Sequence, residues 1–207
     1  MTVRAVCLAA AIAVLVWSGI HPHDRFTWWL EVAPVLIGLP IAVGTARAFP
    51  LTPLLCVLLA IHAAILCVGG HWTYAEVPLG FWMARAFGFT RNNYDRIGHF
   101  AQGFVPAILA REILSRRSPL AGSRWLPVLV VCVALAVSAF YELVEWWTAL
   151  ATSDGATAFL GTQGDPWDTQ SDMFSALIGA TVAMTLFARL QDRRVAAIAA
   201  GRMAPAG

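Results

Sequence analysis

Arg91-Asn92-Asn93-Tyr94-Asp95-Arg96-Ile97-Gly98-His99-Phe100-Ala101-Gln102-Gly103 is the stretch on which the reading of this chain turns. It opens an apolar segment, yet it carries carboxyl, guanidinium, imidazole and amide groups. On a helix, Asp95, His99 and Gln102 stand at i, i+4 and i+7 and share one face. An ionisable stripe at the mouth of a membrane helix is costly unless it is paired or used.

The surroundings show that the helix belongs in a membrane. The chain is 59% hydrophobic and only 13% charged, about half the charge of a soluble domain. Apolar runs recur and predict an all-α, polytopic membrane helix bundle of six transmembrane helices, near 3–20, 28–49, 51–70, 94–114, 125–150 and 168–190. The first run has no small-x-small pattern behind it and reads as an uncleaved span. Between the third and fourth spans, residues 78–89 are short, aromatic and singly charged. They predict an interfacial helix started by Pro78, with Phe81, Trp82 and Phe87 at the headgroups or over a polar cavity. Residues 1–200 form one domain, and 201–207 are expected as a disordered tail.

All 14 basic residues are arginine, and the net charge is +2. No basic run points to nucleic acid. The partner expected from composition is the lipid bilayer. With the N-terminus inside, ten arginines fall on the inner side and only Arg25, Arg85, Arg91 and Arg96 on the outer. Both termini are therefore expected in the cytoplasm. Cys7, Cys56, Cys67 and Cys132 all sit in apolar runs and read as packing residues.

Two later segments repeat the pattern of the opening stretch: Glu142 and Glu145 at i, i+3, then Asp168 and Asp172 at i, i+4. In the expected topology these pairs join Asp95 and His99 within roughly 10 Å of the outer boundary. Five carboxyl groups there exceed the charge of Arg91 and Arg96, so a cation, a shared proton or further base is called for. His99, Glu142, Glu145, Asp168 and Asp172 form the candidate metal set. This oxygen-rich set suits a divalent cation such as Zn, Mn, Fe, Mg or Ca. His99, Asp95 and Glu142 are the candidate catalytic groups. His71, Tyr74, Arg91, Arg96 and Gln102 are candidate substrate contacts. His62 is either a packing residue or a deeper member of the site. The alternative is a structural network of buried ion pairs with Arg91 and Arg96 as partners.

Three stretches carry a resemblance: 93–103 around Tyr94-Asp95-Arg96-Ile97-Gly98-His99, Tyr141-Glu142-x-x-Glu145-Trp146, and 161–173 from Gly161-Thr162-Gln163-Gly164-Asp165 through Trp167-Asp168-Thr169 to Asp172. With these the chain resembles the YjdF-like family of bacterial inner-membrane proteins. The resemblance implies a location and a fold but no reaction. More remotely the chain is similar to VanZ-like membrane proteins. There Asp95, His99, Glu142 and Asp168 match, while Glu145 replaces a usual Gln and Asp172 a usual Asn. Three functions follow as expectations. The first is metal-assisted hydrolysis or group transfer on a lipid or lipid-linked envelope precursor at the outer leaflet. The second is a non-catalytic structural or regulatory factor. The third is a proton-coupled transporter.

Overall fold

The computed structural model describes residues 2–152 and 157–203, which are helical and contain no strand. In chain order the helices are α1 (Val3–Ser18), α2 (Arg25–Thr45), α3 (Pro53–Trp72), α4 (Pro78–Phe87), α5 (Tyr94–Arg117), α6 (Trp125–Ala151), α7 (Thr157–Leu160), α8 (Asp168–Val182) and α9 (Ala188–Met203). A 3₁₀ turn at Tyr74–Glu76 leads into α4. Local chemistry sets several starts. Thr2, Asp24 and Thr52 accept the amides of Ala5, Thr27 and Leu55, and Pro53 opens α3, as side-chain caps and first-turn proline do. The Thr27 amide holds the Asp24 carboxyl below its usual range.

Among the described residues, four helices are long and apolar enough to cross a membrane: α2, α3, α6 and the continuous rod from Asp168 to Ala200. The sequence predicts six spans. Of the other two, α1 is apolar but has 16 residues. The last, α5, has 24 residues but carries Asp95, Arg96, Arg111, Glu112, Arg116 and Arg117. Its polarity is tolerated because it is the central helix. Thirteen of its residues are buried, and it packs on α3, α6 and α8.

Successive long helices run in opposite directions. At one end, Trp17 stacks on His71 and Ser18 Oγ accepts from Trp28 Nε1. At the other, Glu112 accepts from the Thr52 amide and hydroxyl and from Arg116. There Arg116 and Arg117 also donate to the carbonyls of Pro50 and Ala48. The main apolar core, with Leu55, Ile108, Val130 and Ala180, lies between α3, α5, α6 and α8. A second, around Val32, Leu66 and Cys67, joins α1, α2 and α3.

The seam between α5 and α8 is backbone against backbone. A Cβ on Gly103 would sit 1.9 Å from the Ala176 carbonyl oxygen, and one on Gly179 2.1 Å from that of Phe100. Small residues permit such approach between membrane helices. A π-helical turn, Ala183–Phe187, joins α8 to α9. The helix runs on to Met203, past the end expected near 190. The cause is a polar anchor: buried Gln191 donates to the Ile108 carbonyl and accepts from Arg111, which also pairs with Asp192. Beyond it the alanines of 196–200 favour helix. Residues 204–207 of the expected tail lie outside the described residues, as do Ser153–Ala156 of the loop before α8.

Candidate functional site

The first turns of α5, the last turns of α6 and the first turns of α8 meet at the end opposite Glu112. Asp95, His99, Glu142 and Asp172 are buried there. The i, i+4 spacing on α5 turns Asp95 and His99 toward the same neighbours, with Asp95 Oδ1 3.4 Å from His99 Nε2. The same nitrogen lies 3.7 Å from Asp172 Oδ1 on α8. Across the ring, His99 Nδ1 faces Glu142 Oε1 on α6 at 3.7 Å. The imidazole thus sits among carboxyl groups of three helices.

These contacts form two groups with the spacing of metal ligands. Asp95, His99 and Asp172 make one, and His99, Glu142 and Glu145 the other, with ligand atoms within 4.8 Å of one another in each. In the first, Asp172 already accepts from Arg96 Nη1. In the second, His99 Nδ1 and Glu142 Oε1 are buried and have no hydrogen-bond partner among the described residues. Groups held 2.0–2.6 Å from one cation stand about 3–5 Å apart, so small side-chain movements would bring the second set onto an ion.

Asp168 lies elsewhere, in an arginine clamp. Its Oδ1 accepts from Arg91 Nη1 and from Arg96 Nη2, both at 2.7 Å. Asp165 Oδ2 takes the same two arginines at 3.3 and 3.1 Å. Arg91 also donates to the Gly161 carbonyl. Beside it Gln163 bonds the backbone of Asn92 twice, accepting from its amide at 3.0 Å and donating to its carbonyl at 2.8 Å. Gln163 has φ 48°, between Gly161 and Gly164 at φ 55° and 83°. A left-handed backbone at a non-glycine residue carries strain, here offset by the double bond to Asn92. The segment 159–165 is thereby strapped down over the start of α5.

Under the strap is a chamber of about 130 Å³. Glu31, His62, Tyr74, Asp95, His99, Gln102 and Glu145 give it a polar wall, and Pro34, Leu66, Pro106, Val137, Phe159 and Leu160 an apolar one. His62 therefore shares the cavity with His99, and its Nε2 is buried without a partner among the described residues. The Tyr74 ring is wedged between Gly69 of α3 and Gly98 of α5, and its burial pushes the hydroxyl well above its usual range. Of the other expected substrate contacts, Gln102 lines the chamber, while Arg91 and Arg96 are engaged in the clamp. His71 is turned away toward α1, stacked on Trp17 with Nδ1 3.0 Å from the Ser18 carbonyl. Phe81, Trp82 and Phe87 are exposed, and none of them lines the chamber.

Three participants escaped sequence reasoning. Glu31 of α2 is buried and accepts from the Tyr141 hydroxyl at 3.0 Å. A carboxyl group inside an apolar run was the available signal. Tyr141 precedes Glu142 and stands in a motif that carries the resemblance, which assigned it no role. Asp165 reads as a loop acid until its two arginines are seen.

The family described as "Predicted membrane protein (DUF2238)" matches residues 3–193. The chain is 54% identical over 182 residues to "Inner membrane protein YjdF" of Escherichia coli (strain K12), covering 88% of this chain and 87% of that protein. No solved structure matches.

Proposed function

This chain belongs to the DUF2238 family of predicted membrane proteins, and from that premise we propose a multi-pass inner-membrane protein with a divalent-cation site. His99, Glu142 and Glu145 are the ligands. The ion supports hydrolysis or group transfer on a lipid or lipid-linked envelope precursor. The similarity to an inner-membrane protein favours the location. Alternation of helix ends favours six crossings, with α1 and α5 as the first and fourth. The arginine imbalance favours cytoplasmic termini and a chamber in the outer leaflet.

The observation that carries the site is the facing pair of orphans, His99 Nδ1 and Glu142 Oε1, buried beside Glu145. Each is costly to leave unpaired in low dielectric. Charge argues the same way. Glu31, Asp95, Glu142, Glu145, Asp165, Asp168 and Asp172 converge, against the guanidiniums of Arg91 and Arg96. A cation there would polarise a phosphoryl or acyl oxygen and lower the pKa of a bound water. Asp95, against the far nitrogen, would orient the His99 ring.

Metal analysis of detergent-purified protein tests this. The expected result is about one ion of Zn, Mn, Fe, Mg or Ca per chain, reduced severalfold by His99→Ala and by Glu145→Gln. Background content in the unaltered protein would overturn it. The arginine clamp favours a second reading, a non-catalytic network. In that case His99 is an imidazolium among the carboxyl groups, metal stays at background, and Glu145→Gln leaves stability equal or higher. A proton-coupled carrier is less favoured. The chamber lining reaches along α3 to His62 and along α5 to Pro106, and Glu112 at the other end is fully buried in its own pairs.

A further inference from the structure

We propose that the chamber takes the head of an amine-bearing amphiphile from the side, while the chain of that molecule stays in the bilayer between α2 and α6. The inference rests on reading the bundle as membrane-embedded with the chamber as its reaction site.

The way in follows from which walls are sealed. Toward water, the strap 159–165 is fastened to Arg91, Asn92 and Arg96 by ion pairs and the double amide bond. Toward the bundle, α3, α5 and the wedged Tyr74 close the chamber. On the remaining side, α2 and α6 are tied near the top by Tyr141 and Glu31. Below that tie, Pro34 and Val137 line the chamber and are also exposed on the outer surface of the bundle. Both are apolar, so the gap between them opens onto lipid chains rather than water.

Size limits what enters. Pockets that enclose a drug-sized ligand measure about 300–1,000 Å³, and this one holds about 130 Å³. A headgroup fits, and a two-chain lipid does not. Along α5 the chamber spans Asp95 to Pro106, roughly 16 Å at 1.5 Å per residue. That is about half of the hydrocarbon thickness, so a chain left in the gap lies at the depth of one leaflet.

Charge selects the head. The described lining residues include no arginine, because Arg91 and Arg96 are held by Asp165, Asp168 and Asp172. Filling the His99–Glu142–Glu145 site with a divalent ion still leaves Glu31 and Asp95 facing the cavity. Pro106 has no N–H to give the Gln102 carbonyl, and both residues line the chamber. The wall is rich in acceptors, which an ammonium with three donors satisfies. The second indication of a ligand, beyond acidity, is an imidazole nitrogen that the cation site leaves unused: Nε2 of His62, buried in the chamber wall with no hydrogen-bond partner among the described residues.

The full-length protein is reconstituted in vesicles of phosphatidylethanolamine and phosphatidylglycerol, each in turn carrying a diazirine near the acyl carbonyl. After irradiation, adducts are mapped by mass spectrometry. Phosphatidylethanolamine is expected to label Leu66 or Gln102 severalfold more than phosphatidylglycerol does, with both lipids labelling Phe140 on the outer surface. Val137→Trp should reduce the chamber adducts severalfold and spare those at Phe140. If that variant fails to fold, Pro34→Trp closes the same gap from α2. Labelling confined to Phe140, equal chamber labelling by the two lipids, or chamber adducts indifferent to the plug would each overturn the proposal. Metal content measured on the same sample separates the two readings. Adducts without metal retain side entry and reject the cation site, and metal without adducts does the reverse.

Discussion

At the residue scale, Tyr74 shows how one side chain can hold two helices at a set distance. Its ring fills the space that Cβ atoms on Gly69 and Gly98 would need, with approaches of 2.3 and 2.7 Å. The ring also forms part of the chamber wall. Removing it in Tyr74→Ala should open a void between α3 and α5 and cost about 3–5 kcal/mol, while Tyr74→Phe keeps the ring and should cost far less. Thermal unfolding in detergent measures both, and equal losses would show that the hydroxyl, not the ring, is what matters. The sequence made Tyr74 visible only as an aromatic over the site. Its wedge depends on two glycines, 5 residues before and 24 after it, which no local pattern connects.

At the scale of elements, the α5–α8 seam sets where the acids meet. Gly103 and Gly179 bring the two backbones together, and Asp95, His99 and Asp172 lie one to three turns above that crossing. Gly103→Ala and Gly179→Ala should each force the helices apart and cost about 1–3 kcal/mol or more. Gly38→Ala, with nothing within 4 Å of its added Cβ, should be neutral or slightly stabilising. Scanning calorimetry or fluorescence melting distinguishes them, and a Gly103→Ala protein as stable as Gly38→Ala would refute the seam. Helix positions were legible because hydropathy and proline or glycine punctuation are local: 94–114 and 125–150 each fall inside the observed α5 and α6. The polar pairs were legible through their spacing. Their division was not. Whether Asp168 meets an arginine or a cation depends on the strap, whose left-handed turn at Gln163 comes from pairing with Asn92, 71 residues away.

For the whole molecule, the two ends differ in chemistry: acids, imidazole and the clamp at one, Arg111, Arg116 and Arg117 at the other. With the arginine-rich end in the cytoplasm, a cysteine replacing Thr90 should react with an impermeant thiol reagent applied from outside. One replacing Ala121 should not, in a chain lacking the four native cysteines; the opposite pattern would invert the orientation. The centrality of α5 has a further consequence, for biosynthesis. An apolar helix such as α3 can rest singly in lipid, but α5, read as the fourth span, is poorly suited to do so: Asp95, Arg96, His99, Gln102, Arg111 and Glu112 need partners on neighbouring helices, and ionisable groups left uncovered in a membrane are costly. It leaves the ribosome before α6 and α8, the partners that cover most of it, have been made. A chain stopped at Ser123 should therefore leave α5 uninserted, and the cysteine at 121 would then be labelled from outside. If α5 crosses the bilayer as proposed, its entry and its docking in the bundle are coupled, because α6 and α8 supply most of its cover.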